Sequence, residues 1–161
     1  MKVSASLITH VISGGQSGAD LGGLRAARRK GIQTGGYMPL GWRTEYGPRP
    51  NYKDWFGMDE WLTEHYEDRT EQNVIIGDGT VIFGRRSPGS NKTEECCRIK
   101  GKPCLWIPDT YTAPKPNQTT KAVFIKWVNQ RQIQILNVAG NRESINLGIE
   151  FRVEDFLVEV L

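Results

Sequence analysis

Leu7-Ile8-Thr9-His10-Val11-Ile12-Ser13-Gly14-Gly15-Gln16-Ser17-Gly18-Ala19-Asp20, running on through Leu21, Leu24 and Ala27 to Lys30 and Gly31, is the stretch from which the fold is read. Residues 7–12 form a short β-branched, apolar run, the pattern of a buried strand, and Ser13-Gly14-Gly15 ends it. From Asp20 to Lys30 the apolar residues recur at helical spacing, and Gly31 supplies the stop. Strand, glycine turn and helix make one α/β unit. The first backbone N–H groups of such a helix have no intrahelical acceptor, and glycine lets an anion approach them closely. Ser13, Gly14, Gly15, Gln16, Ser17, Gly18 and Asp20 are therefore candidate contacts for a phosphate-bearing ligand. A tight turn that requires positive φ accounts for the same glycines without a ligand. The pattern is not a P-loop, which would close on Gly-Lys-Ser/Thr, nor the usual dinucleotide fingerprint, whose glycines are spaced differently.

Outward from this unit the alternation repeats. Residues 32–38 start a second strand, and the proline- and glycine-rich stretch 39–50 predicts a long ordered loop of the kind that carries function. Residues 58–66 and 70–73 read as short helical pieces, and residues 80–83 as a buried strand ended by Gly84. A polar turn over residues 85–91 leads into a helix over residues 92–100, closed by Gly101, and residues 104–107 make a fourth strand. A surface connection is expected over residues 109–118 and an amphipathic helix over residues 119–131. Residues 133–138 form a fifth strand, followed by the turn 139–144 and a last helix over residues 153–160. Strands alternating with helices predict a Rossmann-like three-layer α/β domain, its mostly parallel sheet covered by helices on both faces. In such sheets the strand-to-helix turns gather at the carboxyl edge, where ligands bind. Three turns should meet there: residues 13–20, 84–93 and 139–144.

At 161 residues the chain fits one domain, 1–161. The formal charge of +3 is spread along the sequence, which favours an anionic small molecule over nucleic acid. The densest basic cluster, Arg25, Arg28, Arg29 and Lys30, falls late in a helix, where cations offset the helix dipole. Three cysteines without a paired ligand spacing argue against a zinc site and for free thiols in a reducing cytoplasm. No apolar run is long enough to enter a membrane, so no membrane partner is expected.

The second turn offers Gly89, Ser90, Asn91, Lys92 and Thr93, with Ser90 or Asn91 placed to cap the helix and Lys92 and Thr93 suited to phosphate or ribose. Glu94 and Glu95 suit the positive end of that helix as solvated charges, or a catalytic role if the protein is an enzyme. The third turn offers Gly140, Asn141 and Arg142, whose guanidinium either forks onto a phosphate or pairs with Glu143. Asp78 fits a ribose hydroxyl or an Asx turn equally well. His10 and His65 have no evident nucleophile or metal partner, and no metal site is predicted.

Residues 12–20, Gly35-Gly36-Tyr37-Met38-Pro39 with Glu45-Tyr46-Gly47, Arg69-Thr70 with Asn73-Val74, Asp78-Gly79-Thr80, and residues 136–144 together resemble the molybdenum carrier family, related to the molybdenum cofactor carrier protein. That family lies in the wider Rossmann-like superfamily joining DprA-like and Lonely-guy proteins. The resemblance implies a homo-oligomer whose cleft holds a phosphorylated pterin, such as molybdenum cofactor, or a nucleotide. In the loop after Pro39 this chain reads Leu40-Gly41-Trp42-Arg43 where a lysine is expected before the glycine, and Arg43 joins the candidate ligand contacts. The second turn reads Pro88-Gly89-Ser90-Asn91-Lys92-Thr93 in place of a Gly-Gly-Thr stretch.

Three anion-suited turns without a convincing nucleophile, base or metal cluster predict a non-catalytic carrier, store or sequestering protein. The alternative is a Lonely-guy-like phosphoribohydrolase acting on nucleoside monophosphates, since Pro88-Gly89 with Thr93-Glu94-Glu95 loosely resembles that family's signature. A DprA-like nucleic-acid module would use Tyr37, Trp42 and Tyr46 for stacking, but no basic stripe accompanies them.

Overall fold

The computed structural model describes residues 7–108 and 118–161. A five-stranded sheet is formed by β1 (His10–Ile12), β2 (Gln33–Gly35), β5 (Gly79–Phe83), β6 (Cys104–Ile107) and β7 (Ile135–Gly140), in the order β2-β1-β7-β5-β6. Every neighbouring pair is parallel: His10 lies opposite both Gln33 and Ile135, and Phe83 lies opposite both Ile107 and Gly140. The chain runs outward from β1 to β2, starts again at β5 and moves out to β6, then returns to fill the centre with β7. The carboxyl ends of β1, β7 and β5 are consequently adjacent, and the turns that leave them form one edge. This is the Rossmann-like α/β arrangement that the alternating pattern predicts.

Helices α1 (Ala19–Arg29), α5 (Gln118–Arg131) and α6 (Ile149–Val160) cover one face. Val11, Val81, Phe83, Leu136 and Val138 of the sheet pack there against Ala26, Phe124, Val128, Phe156 and Leu157. The Phe156 ring meets Phe83 and Phe124 edge-on at 5.6 and 5.8 Å. Each such fully buried side chain contributes about 1.5–3 kcal/mol relative to an exposed one. Helices α3 (Tyr66–Ile76) and α4 (Pro88–Lys100) take the other face. A smaller apolar cluster, Leu24, Met38, Tyr52, Phe56 and Met58, seats the segment between β2 and α3.

Several boundaries differ from the expected ones, each for a local reason. The strand expected over residues 32–38 is broken at Gly36, whose φ is 117° and where a Cβ would lie 2.2 Å from the Ser13 carbonyl oxygen. Its second part, β3 (Tyr37–Met38), leaves the main sheet and pairs in parallel with β4 (Asp59–Glu60). The helix expected over residues 58–66 is therefore this short strand and the bends after it, and α3 absorbs the 70–73 piece. Helix α2 (Tyr52–Phe56) was not expected; it is one turn that buries Tyr52 and Phe56.

Helix α4 starts at Pro88, with Ser87 as its cap in place of Ser90 or Asn91. Proline suits the first helical position, and Ser87 and Ser90 cap one another: Ser90 N–H donates to Ser87 Oγ at 3.2 Å, and Ser87 N–H to Ser90 Oγ at 2.9 Å. Helix α6 begins at Ile149, a turn earlier than residue 153, because Glu143 accepts the N–H groups of Gly148 and Glu150 at its start. The connection expected over residues 109–118 lies outside the described residues except for Gln118, which opens α5. Among the described residues no helix is long and apolar enough to cross a membrane.

Candidate functional site

A cleft of about 740 Å³ lies between α3 and α4, over the carboxyl half of β7 and below the three turns. Among the residues singled out in the sequence, Gly14, Gln16, Asp20, Gly89, Ser90, Lys92, Thr93, Gly140, Asn141 and Arg142 line it, as does Glu95. Ser13, Gly15, Ser17, Gly18, Arg43, Asp78, Asn91 and Glu94 stand outside it.

The first turn is closed on itself. Gly15 N–H donates to Ser13 Oγ at 3.2 Å, Ser17 N–H to Gln16 Oε1 at 3.0 Å, and Gln16 N–H to Asp20 Oδ2 at 3.2 Å. The expectation that these amides point unpaired into the cleft is corrected: they are satisfied by the turn's own side chains, and the Gln16 amide is held by the Asp20 carboxylate. Asp20 is 5% exposed and its Oδ2 lies 3.3 Å from Arg69 Nη1. Burial raises its pKa above the ordinary carboxylate value, while Arg69 and the Gln16 amide pull the other way.

Arg69, which carries no turn or cap signal in the sequence, lines the cleft beside Asp20. Its guanidinium lies on the bare backbone of Gly14, where a Cβ would come within 1.5 Å of Nη1. It also stands 5.6 Å from the Tyr66 ring centroid. Its Nε is buried and has no hydrogen-bond partner. A buried polar group in that state costs roughly 1–3 kcal/mol unless something accepts from it. Tyr66, Arg69, Thr70 and Asn73 share one face of α3 by helical spacing, which is the sequence signal that marks them as a group. Asn73 fixes that face in place: Tyr37 N–H donates to its Oδ1 at 2.8 Å, and its Nδ2 donates to the Tyr37 carbonyl at 3.0 Å.

On the opposite wall, Lys92 reaches Glu67 and Lys100 reaches Glu71, each at 2.7 Å, so two exposed ion pairs join α4 to α3 across the mouth. Thr93 Oγ1 donates to the Gly89 carbonyl at 3.1 Å. Asn91 faces outward and accepts from Arg86. Glu94 pairs with Arg86 at 2.9 Å and Glu95 with Arg98; the Arg98 hydrogen bond lowers the Glu95 pKa.

The third turn binds the others together. Asn141, 1% exposed, accepts the Arg85 N–H at 2.8 Å and donates to the Arg85 carbonyl at 2.9 Å, while its own carbonyl accepts the Ala19 N–H at 3.0 Å. The Arg142–Glu143 pair considered from sequence is replaced: Arg142 Nε stands 3.9 Å from Glu45 Oε2, and Glu143 serves α6. Glu45, from the long loop, accepts the hydroxyls of Ser17 and Ser144 and the Ser144 N–H at 3.1 Å. Gln16 Oε1 accepts the Glu45 N–H at 2.9 Å. Burial opposes the Glu45 charge, but the Ser144 and Ser17 hydroxyls, the Ser144 amide and Arg142 outweigh it and lower its pKa.

Two expected contacts sit elsewhere. Asp78 lies at the amino edge of the sheet, where Oδ2 accepts the N–H groups of Gln134 at 3.0 Å and Ile135 at 2.8 Å, so it caps the entry to β7. Arg43 is half-exposed and does not line the cleft: it lies 5.5 Å from the ring of Tyr66, on the cleft's α3 wall, and reaches Glu64 at 3.8 Å.

Parallel topology, three interlocked carboxyl-edge turns and a cleft beneath them define a Rossmann-like α/β protein with a ligand cleft. The model of the circularly permutated YpsA SLOG family matches residues 11–161, and the chain belongs to that family. It is also similar to the crystal structure of a protein named "Putative molybdenum carrier protein" from Syntrophus aciditrophicus SB, at 34% identity and a TM-score of 0.87 over 96% of each chain. No curated protein matches the chain. The family and this structural relative support a ligand-binding role.

Proposed function

We propose that the cleft holds a phosphate-bearing small molecule, a nucleotide or a phosphorylated pterin such as molybdenum cofactor, and carries, stores or sequesters it unchanged. The observation that carries this reading is Arg69: a guanidinium at the cleft wall, paired with Asp20 at 3.3 Å and left with a buried Nε–H that has no acceptor. A phosphate oxygen is the acceptor such a group suits best. The cleft volume of about 740 Å³ lies within the range of small-ligand pockets, and Lys92, Lys100 and Arg142 line it as further cations.

The carboxylates that a phosphoribohydrolase would use support the carrier reading over the enzyme. Glu94 is half-buried and outside the cleft lining, Glu95 is exposed at its edge, and Arg86 and Arg98 engage them. Incubation with nucleoside monophosphates should release no free base. Native mass spectrometry of the purified protein should show a co-purifying phosphate-bearing molecule. Failure of every nucleotide and pterin tested to bind would overturn the proposal. The same reading includes self-association, which size-exclusion chromatography with light scattering would measure.

A further inference from the structure

We propose that an oxyanion seated on Arg69 makes Asp20 take up one proton, so that anion binding in the cleft is proton-linked. This rests on the reading of the cleft as an anion site. Asp20 and Arg69 form a buried pair, with side chains 7% and 12% exposed. The pair is locally neutral, and among the described residues the other cations lining the cleft, Lys92, Lys100 and Arg142, each stand beside a glutamate of their own. From α3, the charged group facing Asp20 is Arg69 itself, with the Tyr66 ring behind it. From the long loop the nearest acid is Glu45, separated by the Gln16 side chain and held by Ser17, Ser144 and Arg142. From the third turn, Arg142 faces Glu45, and from α4, Lys92 and Lys100 face Glu67 and Glu71.

An anion that accepts from the Arg69 guanidinium in the cleft thus places a second negative charge beside the cation that already serves Asp20. Two anions close together in a water-poor site cannot both stay fully ionised, and the carboxylate is the one that can shed its charge by taking a proton from solvent. Burial already pushes the Asp20 carboxyl in that direction. The protonated form does not abandon its neighbours, because it retains a carbonyl oxygen to accept the Gln16 N–H and gains an O–H with which to donate. One proton leaves the buffer for each anion bound, and no other bond forms or breaks. The consequence is that affinity rises as pH falls, approaching tenfold per pH unit wherever a full proton is taken up.

Calorimetric titration of the full chain with sulfate, a dianion that does not itself titrate near neutrality, tests this in two buffers of different ionisation enthalpy. A nucleoside 5′-monophosphate is titrated in parallel. The expected result is an observed heat that differs between buffers by an amount corresponding to proton uptake, and an Asp20→Asn variant that binds with little buffer dependence and a flat pH profile. Infrared difference spectra of the wild-type protein should show a protonated-carboxyl band appearing on sulfate addition, a readout that stands even if Asp20→Asn folds poorly. Binding without buffer dependence and without that band overturns the proton linkage alone. Uptake that persists in Asp20→Asn overturns the assignment to Asp20. No binding of either anion overturns the linkage together with the anion-site reading beneath it.

Discussion

Replacing Gly18 by alanine should loosen the whole carboxyl edge, because this residue is where the first turn touches the third. Its φ of 80° and ψ of −128° lie in a region that L side chains rarely enter, at a cost of about 1–3 kcal/mol. A Cβ there would stand 2.4 Å from the Asn141 carbonyl oxygen and 2.7 Å from the Glu143 nitrogen, both backbone atoms, whereas ordinary contact begins at 3.4 Å. The turns must separate by about that deficit, which breaks the Ala19 N–H to Asn141 carbonyl bond at 3.0 Å and the Glu143 N–H to Ser17 Oγ bond at 3.1 Å. Each lost bond is worth roughly 0.5–1.5 kcal/mol, so with the strain the total is about 2–6 kcal/mol. For a chain of this length that corresponds to a fall in Tm of roughly 10 °C. The control is Gly89→Ala, where the added Cβ meets nothing within 4 Å and α4 gains helix propensity. Thermal unfolding followed by circular dichroism should show a large fall for the first and none for the second. Equal melting of Gly18→Ala and wild type would refute the claim that the turns interlock.

Other perturbations separate structure from binding. Asp78→Ala should cost about 1–3 kcal/mol in denaturant unfolding by leaving the Gln134 and Ile135 N–H groups without their acceptor, yet leave anion affinity unchanged. Ser87→Ala should cost about 1 kcal/mol through loss of the α4 cap, again measurable by denaturant unfolding. The Ser144 and Ser17 hydroxyls, the Ser144 amide and Arg142 outweigh burial and hold the Glu45 carboxyl below the ordinary carboxylate pKa. Its stabilisation is therefore complete above that ordinary value and lost as pH falls through the folded-state value. Unfolding free energies measured across the acid range should decline less steeply in Glu45→Gln than in the wild type.

The order of strands and helices was legible because β1, β5, β6 and β7 lie in compact apolar runs followed closely by glycine or proline, and α1 and α5 show helical spacing. What was not legible depended on contacts distant in sequence. Gly36 breaks a continuous strand pattern because the Ser13 backbone passes beside it. The two residues of β4 carry acidic side chains that no strand pattern would select. Within the site, the turns could be placed at one edge by topology alone, but the sequence could not show that Asp20 folds back to satisfy the first turn's amides. Nor could it show that Asp78 caps the opposite edge. Arg69 lay in a polar segment with no turn chemistry to mark it, and its importance comes from burial against Gly14. Glu45 sits in a loop whose path is set by the Leu24, Met38, Tyr52, Phe56 and Met58 cluster, and by its own hold on Ser17 and Ser144.

The most direct test of the central claim is a paired titration of wild type and Arg69→Gln with a nucleoside 5′-monophosphate and the corresponding unphosphorylated nucleoside. A charge-assisted hydrogen bond to phosphate is worth about 1.5–3 kcal/mol, so Arg69→Gln should weaken the phosphorylated ligand roughly tenfold to a hundredfold and leave the nucleoside's weaker binding nearly unchanged. Equal affinity of the two proteins for the phosphorylated ligand would contradict the account.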